Sequence, residues 1–132
     1  MNYLLDTHCI LWSISSPEKL SSTVLKILQD SKNRIVVSSL SLWEIALKVR
    51  IRKLEISGFL QEEVPELLGK MNIEILDLSG EQAVNFSKFI VNDHKDPFDL
   101  FLIYLSITEN YTLITKDSYI SKLKLKGFKT IW

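Results

Sequence analysis

An α/β fold, a parallel sheet with helices on both faces, is what this chain predicts from three observations. Short apolar runs rich in branched residues recur along it. Stretches with helical spacing separate those runs, so strand alternates with helix. The 132 residues, 46% of them hydrophobic, supply apolar material for one domain spanning 1–132 with a single continuous core.

The first run, Tyr3 to Leu5, predicts a strand that closes at Asp6. From Pro17 to Gln29, Leu20, Val24, Ile27 and Leu28 fall on one stripe, which predicts a surface helix packed on the sheet. Ile35 to Val37 is the second strand. Ser41-Leu42-Trp43-Glu44 then fits a capping box, with Ser as N-cap and Glu three positions on, so Glu44 opens a helix that runs through Ile51. Between Ser57 and Met71, Pro65 interrupts a helical rhythm bracketed by Gly58 and Gly69, and two short helices are expected. Ile73 to Leu76 is a strand, and Glu81 to Val91 an amphipathic helix carrying Ala83, Val84, Phe86, Phe89 and Ile90. Asp96-Pro97-Phe98-Asp99 reads as a helix start: Asp96 as N-cap, Pro97 where its missing N–H is harmless, Asp99 in the first turn. The helix that follows, to Ile107, is nearly all apolar and predicts burial on most sides. Leu113 to Thr115 and Phe128 to Ile131 complete the strands.

Lys and Arg total 16 against 16 for Asp and Glu, so net charge neither supports nor excludes a nucleic-acid partner. Cys9, the only cysteine, excludes an internal disulfide and a thiolate zinc site and fits a reducing compartment. No run approaches the roughly 18 to 20 apolar residues that span a bilayer, and no basic region precedes an apolar stretch at the N-terminus, so a soluble cytoplasmic protein is expected.

Chemistry concentrates on four acids. Asp6 and Asp117 follow strand ends, and Glu44 and Asp99 begin helices, so all four can gather beyond the carboxyl edge of the sheet, where open α/β folds bind ligands. Clustered carboxylates raise one another's pKa unless a cation or a tight set of hydrogen bonds neutralises them, which points to a divalent metal. Each acid also has a plain structural role available: Asp6 and Asp117 as helix caps, Glu44 in its capping box, Asp99 as a favourable charge in a first helical turn. His8 and His94 read most simply as hydrogen-bonding surface groups, Cys9 as core, and Trp12, Trp43 and Trp132 as large apolar groups that pack. The basic runs Lys48 to Lys53 and Lys122 to Lys126 are solvated faces, or sites for phosphates or an acidic partner.

Taken jointly, Tyr3-Leu4-Leu5-Asp6-Thr7-His8, Ser38 to Lys48, His94-Lys95-Asp96-Pro97-Phe98-Asp99 and Leu113-Ile114-Thr115-Lys116-Asp117 closely resemble the PIN-domain toxins of the VapC type, in order and over nearly the whole chain to Ile131-Trp132. The resemblance implies an α/β/α sandwich, a magnesium- or manganese-dependent ribonuclease, a homodimer, and inhibition by a cognate VapB-type antitoxin. By motif, Asp6, Glu44 and Asp99 match the three core acids, Asp117 the more variable fourth, and Thr115 the polar residue before it. The chain departs at Leu100, where such toxins commonly carry Arg, and at Tyr104-Leu105-Ser106, where small residues are usual; any family role of that Arg in RNA contact does not carry over, and altered packing of the buried helix is expected.

The chemistry agrees with the resemblance. Oxygen-only ligands suit a hard cation such as magnesium or manganese better than zinc, and one ion, or two about 4 Å apart, would activate water and neutralise the leaving oxygen of a phosphodiester. Asp6 and Asp99 are the expected direct ligands, Glu44 a ligand or base, Asp117 a support for a second ion or a water, with Thr7 and Thr115 supplying hydroxyls. Two other classes compete. A haloacid-dehalogenase-like phosphatase needs a second Asp two positions after Asp6, where His8 stands, and a receiver domain needs an acidic pair upstream of Asp6, where none exists. A non-catalytic binding module fits every single-residue role above. For the antitoxin, the expected seat is an apolar groove near Trp43, Leu47 and the Ser57 to Met71 segment, with a basic side chain reaching the carboxylates.

Overall fold

The computed structural model describes residues 1–91 and 96–132. Five strands, β1 (Asn2–Leu5), β2 (Arg34–Ser38), β3 (Ile73–Leu76), β4 (Thr112–Ile114) and β5 (Lys129–Ile131), pair in the order β3-β2-β1-β4-β5, every pair parallel. Helices connect them: α1 (Thr7–Ser15) and α2 (Ser22–Gln29) after β1, α3 (Ser39–Arg50) and α4 (Val64–Lys70) after β2, α5 (Gly80–Asn85) and α6 (Pro97–Thr108) after β3, and α7 (Ser118–Ser121) after β4. The expected α/β architecture with a central parallel sheet is the observed one. No helix among the described residues is long and apolar enough to cross a membrane.

Because successive strand side chains point to opposite faces, the sheet divides the apolar residues in two. Tyr3, Leu5, Ile35, Val37 and Ile114 pack with Cys9 and Ile10 of α1, Val24 of α2, Ile45 of α3 and Leu68 of α4. Leu4, Val36 and Leu113 pack on the other face with Phe101 to Leu105 of α6 and Ile120 of α7. The single continuous core expected from composition is therefore two cores, since a sheet covered on both sides separates what it supports. On the second face, Tyr104 meets Phe86, Phe89 and Phe101 with ring centroids 5.7 to 5.8 Å apart, so the bulky side chain is absorbed by an aromatic cluster.

Four element boundaries differ from expectation. The helix predicted from Pro17 breaks into a 3₁₀ turn, Pro17–Lys19, and α2, because Leu20 is extended and the Ser21 hydroxyl caps Val24 N–H at 3.1 Å. Of the Glu81 to Val91 helix only α5 and the 3₁₀ turn Phe86–Lys88 form, and Val84 and Ile90 of its apolar stripe are 70% and 80% exposed. From Ser57 to Met71 two helical pieces do form, Gln61–Glu63 and α4, but Pro65 stands in the first turn of α4 and starts that helix instead of interrupting it. The fourth concerns α3 and bears on the site.

Candidate active site

The chain leaves β1 toward β2 and β3 and later returns to the other side of β1 as β4, so the strand order reverses between β1 and β4. Beyond the carboxyl ends of those two strands the connections diverge and leave a crevice. Asp6 follows β1, and Thr115, Lys116 and Asp117 follow β4. The first turn of α6 carries Asp99 and the second turn of α3 carries Glu44. All four acids, with Thr7, Lys48, Asp96 and Lys116, line one cleft of about 350 Å³.

Two threonines tie the inner acids together. The Thr7 N–H donates to Asp6 Oδ1 at 2.6 Å while its hydroxyl donates to Glu44 Oε1 at 2.7 Å, so one residue spans both carboxylates. Thr115 donates its hydroxyl to Asp6 Oδ2 at 2.7 Å and accepts the Asp117 N–H at 3.1 Å. Lys48, one turn beyond Glu44 on α3, sets its ammonium 2.6 Å from Glu44 Oε2. Among the described residues no buried side-chain polar atom lacks a partner, so this network is complete as it stands.

Asp6 and Glu44 are only 8% and 4% exposed. Burial pushes the Asp6 carboxyl above its ordinary value, opposed by the hydrogen bonds from Thr115 and Thr7, with the Glu44 charge adding a small upward push. Desolvation pulls the Lys48 ammonium down, but the hydrogen bond and charge of Glu44 together with Asp96 and Asp99 hold it above its ordinary value. The Cys9 thiol, buried and near the Asp6 charge, is pushed up to about 12, so it is core and not a nucleophile.

The structural roles weighed for each acid divide here. Asp6 caps α1, Asp96 caps α6 through the N–H groups of Phe98 and Asp99, and Asp117 caps α7 through Ile120 N–H. Glu44 caps nothing. The helix opens at Ser39 with Ser38 as N-cap, its hydroxyl taking Leu40 N–H at 3.1 Å, so the expected Ser41 to Glu44 box does not exist and Glu44 does not open the helix. The last residue of β2 is itself the cap, which leaves no loop for a later start. A glutamate is rarely this buried unless it is paired, and here the pairing comes from Lys48 and Thr7, not from a helix end.

Trp43 is not packed as expected: it is 57% exposed, its ring 5.7 Å from that of Phe98. His8 is exposed at the cleft rim, 5.8 Å from the Trp12 ring, and His94 lies outside the described residues. Leu100 stands half-buried beside Asp99. Sequence reasoning missed Lys48, counted within a solvated basic run, although its four-residue spacing from Glu44 is the signature of a helical ion pair. It also missed α1 and the meeting of Trp12, Lys116 and Trp132.

The donors, carboxylate and hydroxyl oxygens, suit a hard divalent cation in kind. Sharing a cleft is nevertheless a looser condition than sharing an ion. Among the described residues no three Asp, Glu, His or Cys side chains stand close enough to hold one metal together. Lys48 supplies the positive charge that Glu44 receives here.

The sequence model of the PIN domain matches residues 3–126. The chain belongs to the PIN domain family. Among solved structures, this PIN domain is similar to a chain of VapBC2 from Rickettsia felis, crystallised bound to a DNA fragment from their promoter, with a TM-score of 0.64 and 20% identity over 99% of this chain and 98% of that one. At that identity the likeness is one of fold. No curated protein matches the PIN domain sequence closely enough to count as a relative.

Proposed function

We propose that this PIN-domain chain, a single domain over 1–132, is a magnesium- or manganese-dependent endoribonuclease acting in the cytoplasm as the toxin of a toxin–antitoxin pair. The observation that carries the proposal is Glu44: a buried carboxylate without a capping role, bridged by Thr7 to a second buried carboxylate, Asp6, at the crevice where the strand order reverses. Asp6, Glu44 and Asp99 would hold the ion, with Asp117 at the outer side, and the ion would supply water activation and charge neutralisation at the phosphodiester. Thr7 and Thr115 orient the carboxylates by donating to them. Where Glu44 acts as a base in place of a ligand, it would accept the proton of the attacking water once released from Lys48.

The test is cleavage of single-stranded RNA by the purified chain with magnesium or manganese, against chelator and against Asp6→Asn and Asp99→Asn. Each variant is expected to lose activity by at least about a hundredfold. A wild type that binds no divalent ion and cleaves no RNA hands the protein to the second reading, a non-catalytic binding module, which the lack of a three-residue metal group among the described residues favours.

For the partner, the similar structure is that of VapBC2, and this chain is proposed to receive a VapB-type antitoxin segment beside α3. A recess lined by Leu42, Ile45, Val64 and Pro65 with Gln61 and Glu62 suits an amphipathic helix or tail, and Trp43 and Leu60, next in sequence to its lining residues, are exposed. Crosslinks that map the partner to the α6–α7 face would reject this seat. A homodimer is proposed by likeness to the VapC type, and sedimentation of the free chain tests it.

A further inference from the structure

We propose that Trp12, Trp132 and Lys116 form a nucleotide-binding wall beside the acidic cleft, where Trp12 stacks on an unpaired base flanking the scissile bond and Lys116 holds the adjoining phosphate. This deepens the ribonuclease reading and rests on it.

The Lys116 ammonium lies 5.8 Å from the centroids of both indoles, which meet edge to face at 6.0 Å. Trp12 and Lys116 are anchored beside acids, and Trp132 to the strand next to them. Trp12 is on α1, which Asp6 caps; Lys116 stands between Thr115, bonded to Asp6, and Asp117; Trp132 follows β5, the neighbour of β4. The wall is therefore fixed relative to the carboxylates. Trp12 also lines a second cleft of about 300 Å³, shared with His8, Leu11, Ser15 and Lys19, so it stands on the border between the two. A strand whose phosphate sits over the acids would pass Trp12 on leaving them.

Charge selects the ligand. Two lysines line the acidic cleft; Lys48 is paired to Glu44, whereas Lys116 has no carboxylate at ion-pair distance among the described residues. A cleft lined by Asp6, Glu44, Asp96, Asp99 and Asp117 repels phosphates, and a strand needs a cation at the edge to stay. Cation–π contact at an exposed site is weak, so a phosphate can draw the lysine away and uncover the indole face. Stacking on an aromatic face requires a base outside a duplex, which makes single-stranded RNA the fitting partner.

The test uses the full chain and a short labelled RNA in chelator. On the wild type, abasic substitution scanned along the strand is expected to weaken binding about tenfold at one position beside the cleavage site. Trp12→Leu, if it melts like the wild type, is expected to erase that sensitivity. Lys116→Gln is expected to reduce the slope of log affinity against log salt by about one and, in a separate cleavage assay with magnesium or manganese, to raise KM more than it lowers kcat, with Lys116→Arg restoring both. A flat abasic scan, equal binding of duplex, or a Lys116→Gln variant with unchanged KM and salt slope overturns the wall. If the strand binds with these dependences but is not cleaved in magnesium or manganese, the nuclease reading fails and the wall stands. Cleavage that ignores both Trp12 and Lys116 has the opposite meaning.

Discussion

Asp6 carries a conflict that can be measured. Its folded pKa is raised above 3.8, mainly by burial, so the native state holds that proton longer than the unfolded chain. The resulting contribution to stability is full below the unfolded value and is lost as pH rises through the folded one. At neutral pH in chelator, Asp6→Asn is therefore expected to melt at or above the wild-type temperature while cleavage is lost; a lower melting temperature across the whole range from pH 4 to 8 would refute the assignment. Thr115 has the opposite sign. Removing its hydroxyl with Thr115→Val strips a donor from Asp6 and an acceptor from the Asp117 N–H, at an expected cost of about 1–3 kcal/mol in denaturant unfolding. Cys9, with its thiol pushed up to about 12 and buried, is expected to resist thiol reagents at pH 8 until the chain unfolds.

At the level of elements, local chemistry was legible where one residue had one job. Asp96-Pro97 announces the start of α6 because a side-chain acceptor followed by a residue without N–H admits little else, and the structure starts the helix at Pro97. The start of α3 was misread because Ser38 and Ser41 are both plausible caps, and the register of β2 chose between them. Ser38→Ala is thus expected to cost about 1 kcal/mol in denaturant unfolding, more than Ser41→Ala costs through any capping loss. The stripe of Glu81 to Val91 failed for another reason: amphipathic spacing reports a helix only if its apolar side finds a surface, and Val84 finds none. On α6, where Leu105 is fully enclosed, Leu105→Ala is expected to cost about 2–5 kcal/mol, whereas Val84→Ala is expected to be close to neutral.

For the whole molecule, a ligand that binds only the folded state raises its melting temperature by mass action. Manganese or magnesium at concentrations well above the dissociation constant is expected to stabilise the wild type and to have a smaller effect on Asp6→Asn and Asp99→Asn; equal shifts in all three would place the ion elsewhere. The strands, the cap of α6, the buried character of that helix and the four acids were set by the sequence itself, because each is written in neighbouring residues that act within a turn or a strand. The strand order, the reversal between β1 and β4, the two separate cores, the freedom of Glu44 from capping and the gathering of Trp12, Lys116 and Trp132 were decided only by the tertiary structure. Those depend on which faces pack together and in what register, and contacts between residues far apart in the chain leave no periodic or local trace from which to read them.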